Sequence, residues 1–88
     1  MPTLEENLKR LDEIAQLEDN WDGYSAYAFS FEHIIKAKEF AETIEEYSPY
    51  VFPTANNSIQ FETTYNGNYI EWELFSDGKV KKFVCSDE

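Results

Sequence analysis

The spacing of the apolar residues changes once along this chain, near Pro49, and that change decides the class of fold. From Ile59 onward apolar and polar residues alternate. Ile59, Phe61 and Thr63 stand against Gln60, Glu62 and Thr64, the pattern of a strand with one buried face. The alternation is interrupted at Asn66-Gly67 and again at Asp77-Gly78, dipeptides suited to tight hairpin turns. Strands are therefore expected at about 58–65, 69–76 and 79–85. Parity couples them. A two-residue turn at Asn66-Gly67 sets Phe61 opposite Trp72 and Ile59 opposite Leu74. A two-residue turn at Asp77-Gly78 sets Trp72 opposite Phe83 and Ile70 opposite Cys85. All of these then share one face, as a sheet with one buried side requires. The extended piece Tyr50-Val51-Phe52-Pro53 suits a further edge strand, where proline is tolerated.

Before Pro49 the period is helical. Thr3 and Glu6 have capping-box spacing. Leu4, Leu8, Leu11, Ile14, Ala15 and Leu17 then form one stripe, so a helix is expected over about 4–18, with Glu5–Lys9 and Glu6–Arg10 as i,i+4 pairs. Ser30 is a good N-cap for a second helix over about 31–47. Its core side carries Ile34, Ala37, Phe40, Ala41, Ile44 and Tyr47, and Pro49 disfavours helix at Ser48. Between the helices, Asp22-Gly23 reverses the chain, and Trp21, Tyr24 and Phe29 are expected to fill the gap between helices and sheet. The fold class that follows is α+β. One domain over 1–88 packs two N-terminal helices on one face of a three- to four-stranded antiparallel meander.

Charge narrows the function. The 88 residues carry 7 Lys+Arg against 18 Asp+Glu, a net charge of −11. Direct nucleic-acid binding, which needs cations for phosphates, is not expected, nor is binding to an anionic membrane. A basic protein partner is. With 42% hydrophobic and 17% aromatic residues the chain has the content of a folded domain. No apolar run is long enough to span a membrane. A lone cysteine, Cys85, and an N-terminus without a signal-peptide pattern suit the cytoplasm.

Little in the chain points to catalysis. Glu18, Asn20, Asp22 and Gly23 match the start of a calcium loop, but the position that should hold a bidentate glutamate is Phe29. A tight turn is the expected reading there. One histidine and one cysteine cannot build a structural zinc site unless carboxylates provide the other ligands. His33 is expected to be a packed histidine and Cys85 a small buried residue on the core face. No catalytic residue, metal or cofactor is expected, and the chain reads as a non-enzyme.

Two surfaces stand out instead. Glu32, Glu39, Glu42 and Glu46 fall on one side of the second helix over about 21 Å. Lys36 and Lys38 can pair with Glu32 and Glu42. Glu45 and Glu46 lie at the negative end of the helix dipole, and Glu42 repels Glu46 at i,i+4. Ile35 and Phe31 sit beside this acidic side. The outer face of the sheet is expected to carry Gln60, Glu62, Tyr69, Glu71, Glu73, Phe75, Val80, Lys82 and Val84. There Glu62 opposes Glu71 unfavourably, and Glu73 opposes Lys82. This face is too apolar for plain solvent, which leaves two readings: a partner or a homodimer across it, or partial cover by the N-terminal helix or a loop. The candidate partner-binding residues are Glu39, Glu42, Glu46, Ile35, Glu62, Glu71, Glu73, Tyr69 and Phe75. The expected function is a small acidic binding module that neutralises a basic protein, as an antitoxin or inhibitor does. The alternatives are a DNA mimic acting on a DNA-binding enzyme, and a homo-oligomeric structural module.

The segments Asn20-Trp21-Asp22-Gly23-Tyr24-Ser25-Ala26, Phe52-Pro53-Thr54 through Ile59-Gln60-Phe61-Glu62, Tyr69-Ile70-Glu71 and Asp77-Gly78 resemble, in order, a group of small bacterial proteins with no assigned activity. The resemblance covers most of residues 17–82. It implies an accessory or mobile-element setting, in which antitoxin, immunity and inhibitor roles are common, and it transfers no catalytic residue.

Overall fold

The computed structural model describes residues 1–86. In chain order it holds α1 (Leu4–Ala15), α2 (Phe31–Thr43), a 3-10 turn (Glu45–Tyr47), β1 (Tyr50–Pro53), β2 (Ile59–Tyr65), β3 (Asn68–Leu74) and β4 (Val80–Ser86). The strands form one antiparallel meander in the order β1-β2-β3-β4. The helices cover one face of it, and the extended piece at Tyr50 is indeed a strand.

Local chemistry starts both helices. The Thr3 hydroxyl accepts the Glu6 N–H at 3.1 Å, and the Glu6 carboxylate accepts the Thr3 N–H at 2.9 Å. Ser30 caps α2 by accepting the His33 N–H at 3.1 Å. Their ends have different causes. The first helix stops at Ala15, short of residue 18. Its last turn has no cation to offset the free carbonyls, and Asp19 turns its side chain to a loop amide. The second stops at Thr43, not Tyr47. Tyr47, the last residue of the 3-10 turn, packs on Tyr65 at 4.8 Å and Trp72 at 5.4 Å. The left-handed Ser48, φ +47°, then swings the chain into β1. This break takes Glu46 off the face of Glu42, so the expected repulsion within one helix is gone. Lys38 pairs with Asp12 of α1 rather than with Glu42, and Arg10 approaches Glu13 rather than Glu6.

The core joins Leu11, Ile14, Ile34, Ala37, Ala41 and Ile44 to Val51, Ile59, Phe61, Ile70, Trp72 and Leu74. Phe40 reaches over the sheet and meets the Phe61 ring edge-on at 5.3 Å. Two polar contacts, one buried and one partly buried, lock the segment between α2 and β1. The Asn7 amide donates to the Pro49 carbonyl at 2.8 Å, and the Thr63 hydroxyl donates to the Tyr47 carbonyl at 2.7 Å.

The β2–β3 hairpin has the expected register. Asn66 at φ +52° and Gly67 at φ +79° make a two-residue turn, with Phe61 opposite Trp72. The β3–β4 hairpin does not. The Phe75 N–H donates to the Lys79 carbonyl and the Gly78 N–H to the Phe75 carbonyl, both at 2.9 Å. The loop is therefore Ser76-Asp77-Gly78, with Gly78 at φ +90° in a glycine bulge. A two-residue turn needs positive φ at Asp77, which keeps a negative one; its carboxylate accepts the Lys79 N–H instead, at 2.9 Å. One extra loop residue turns every side chain of β4 over. Trp72 faces Lys82, Ile70 faces Val84, Glu71 faces Phe83 and Tyr69 faces Cys85. Phe83 and Cys85 thus lie on the outer face and not in the core, while Val80, Lys82 and Val84 move to the helix side. All of β4 is exposed.

Candidate functional site

The loop between the helices is built by its own acceptors. Asn20 accepts the Ser25 N–H at 2.8 Å, Asp22 accepts the N–H groups of Tyr24 at 2.8 Å and Ala26 at 3.1 Å, and Asp19 accepts that of Ala28 at 2.9 Å. The segment resembling a calcium loop is thus a backbone scaffold. Among the described residues no three ligating side chains converge in a way that could hold a metal. Trp21 donates to the Tyr27 carbonyl at 3.1 Å and lies half-buried against Phe29. Tyr24 does not fill the gap below the helices as expected; it is 89% exposed.

His33 is fully buried. Its ring lies 5.5 Å from Phe29, and its Nε2 is 3.0 Å from the Leu74 carbonyl. A carbonyl only accepts, so Nε2 carries the hydrogen and donates it, leaving Nδ1 buried without a partner among the described residues. Burial lowers the His33 pKa from 6.5; the Leu74 carbonyl opposes this and Lys36 adds to it. Below pH 6.5 the unfolded chain takes up a proton that the native chain refuses, so stability falls as pH drops from there toward the native pKa. Melting curves between pH 7.5 and 5 will show this loss, and His33→Gln, which can still donate to Leu74, will flatten it. An unchanged slope in the variant would remove His33 as its source. The Glu6 carboxyl acts lower in the pH range. Hydrogen bonds from the Thr3 backbone and then the Thr3 hydroxyl depress its pKa, so its contribution is lost as pH falls below 4.5.

The outer face of the sheet is built of cross-strand rows. Tyr50, Glu62, Glu71 and Phe83 form one row, and Phe52, Gln60, Glu73 and Lys81 the next. Glu73 therefore opposes Lys81, not Lys82, and it also accepts the Ser58 hydroxyl. Lys82 lies on the other face with its ammonium 5.9 Å from the Trp72 ring centre. Glu62 and Glu71 stand side by side as expected. Between them comes the Tyr69 hydroxyl, 2.8 Å from Glu62 and 2.7 Å from Glu71. Burial, then the contacts with Glu71 and Glu62, raise the Tyr69 pKa above its usual value. The phenol thus stays protonated, but it has one hydrogen for two carboxylates. A shallow groove of about 250 Å³ opens beside Glu62, bounded by Tyr50, Thr64 and Tyr69. Phe75 lies outside these rows, half-buried at the base of the last hairpin.

The remaining expected residues lie elsewhere. Glu39 and Glu42 are exposed on α2, and Glu46 on the 3-10 turn. Ile35, 42% exposed, opens with Phe31 onto a groove of about 490 Å³ between α1 and α2. The nine candidates thus divide between opposite sides of the molecule. The structure adds Tyr50, Phe52 and Phe83 to the outer face. The first two follow from alternation around Val51; Phe83 was hidden by the register. Compared with family models, curated proteins and solved structures, the chain matches none. No helix among the described residues is long and apolar enough to cross a membrane.

Proposed function

We propose that the protein is a small acidic protein-binding module that neutralises a basic protein partner, as an antitoxin or inhibitor does, through the outer face of its sheet. The observation that carries this reading is the Glu62–Tyr69–Glu71 group. Two like charges directly opposite each other weaken a sheet, and one phenolic hydrogen answers only one of them. An arginine or lysine of a partner, placed over the pair, supplies the missing donors. The exposed rings of Tyr50, Phe52 and Phe83 surround the carboxylates and provide apolar contact. Glu39, Glu42 and Glu46, on the far side, contribute to the net field that speeds encounter with a cation-rich partner. The reading assigns no catalytic residue and no cofactor, and its setting is the cytoplasm. The resemblance to small bacterial proteins of accessory DNA points the same way.

The reading predicts that Glu71→Gln improves stability while it weakens binding. Removing the opposed charge is worth about 0.2–1 kcal/mol, a rise in Tm of a few degrees, roughly 1–8 °C. Thermal melts check the first half. For the second, tagged protein is used to capture partners from host lysate at low and high salt, with Glu62→Lys/Glu71→Lys alongside. A stoichiometric basic protein held by the native chain and lost by the variant is the expected result. Capture that survives these changes but fails in Glu39→Lys/Glu42→Lys/Glu46→Lys would move the site to the helices. Displacement of the captured protein by duplex DNA would favour the DNA-mimic reading.

A further inference from the structure

The free edge of the sheet at β4 has a character opposite to the rest of the protein. Three of the 7 cations, Lys79, Lys81 and Lys82, lie on or beside this one strand of a chain with net charge −11. The other edge, β1, is four residues long and ends in Pro53, which limits strand addition. In contrast β4 runs for seven residues with no proline, and every one is exposed. Ladder bonds alternate along an antiparallel pair. Counting from the Phe75–Lys79 bond, Lys81, Phe83 and Cys85 bond to β3, and Val80, Lys82 and Val84 direct their N–H and C=O groups outward. On the helix side, Val80 borders a groove of about 380 Å³ with Leu74, Phe40 and Thr43, rimmed by Lys36 and Glu39. The edge thus offers backbone that is unpaired among the described residues, an apolar groove under it, and positive side chains on both faces.

We infer that β4 is a docking edge for an extended acidic segment of another protein, added antiparallel as a fifth strand. Strand addition takes its affinity from main-chain hydrogen bonds and its selectivity from alternate side chains. The segment that fits carries apolar residues opposite Val80 and Val84, and carboxylates opposite Lys81 and Lys82. The same lysines disfavour a second copy of β4, since pairing two such edges brings lysines together. This inference rests on the backbone edge of β4, which adjoins the outer face at Phe83, and on a partner of opposite charge, so either can fail alone.

A capped peptide, acetyl-SVYEDVS-amide, is the probe, with acetyl-SVYKKVS-amide as its charge control. Amide exchange and chemical shifts are followed on the whole protein. The expected result is protection of the Val80, Lys82 and Val84 amides by the acidic peptide only. Lys81→Glu/Lys82→Glu should weaken binding at least about tenfold, since two opposite-charge pairs become like-charge pairs. Val84→Pro removes an outward N–H and no β3 ladder bond, so it should block addition and leave the fold intact. Equal binding of both peptides, perturbation of the Glu62–Glu71 face instead, or no protection in β4 would overturn the inference. So would sedimentation showing a dimer that protects the same amides, because a second copy would then occupy the edge.

Discussion

Phe61→Ala will lower the melting temperature by about 12–40 °C or abolish folding. Phe61 is fully buried in β2, with the Phe40 ring packed edge-on against it and Trp72 opposite in the ladder. Truncating a buried phenylalanine costs about 3–5 kcal/mol, combining lost transfer energy and an unfilled cavity. A domain this size has little more than about 5–15 kcal/mol in total, and each kcal/mol shifts Tm by about 4–8 °C. Phe61→Leu, which keeps most of the volume, should cost far less. Thermal and urea melts of both variants decide the matter. An alanine variant that melts within about 5 °C of the native chain would mean that the helices do not pack on this face.

Asn7→Ala will cost about 1–3 kcal/mol, more than an alanine substitution at the exposed polar positions in the middle of α1. Asn7 is buried, and its amide is the partner of the Pro49 carbonyl. That carbonyl belongs to a fully buried proline. Without the amide it is left inside the protein with no donor, and the full penalty of an unsatisfied group falls on the native state. Asn7→Asp should be at least as harmful at neutral pH, because it sets a carboxylate against the carbonyl oxygen. Urea titration measures both. A neutral Asn7→Ala would show that water replaces the amide there.

The two residues illustrate different degrees of legibility. Phe61 could be placed in the core from alternation alone. Asn7 lies on the helix stripe by spacing, between Leu4 and Leu11, yet nothing local says that a polar residue there is buried. Its reason is a carbonyl that lies 42 positions away in sequence. The same division runs through the candidate site. The opposition of Glu62 and Glu71 follows from the Asn66-Gly67 turn, whose two positive φ values admit a single register. The separation of the nine candidates onto two sides could be anticipated only from which face the helices cover. The Tyr69 hydroxyl between the two carboxylates could not be anticipated at all, since parity gives a face but no side-chain rotamer.

What the chain determines by itself is what short-range chemistry controls. Thr3 and Ser30 start the helices by accepting N–H groups three residues ahead. Alternation sets which side of β2 and β3 is apolar, and the surplus of carboxylates sets the sign of the field. The tertiary structure decided what depends on distant partners or on a choice between near-equal local solutions. The end of α2 waited on Tyr47 finding Tyr65 and Trp72. An Asp-Gly turn can close with two residues or three, and the difference is the sign of one φ angle at Asp77. That choice turned Phe83 outward, brought Lys82 over Trp72, and left β4 as an exposed and positively charged edge.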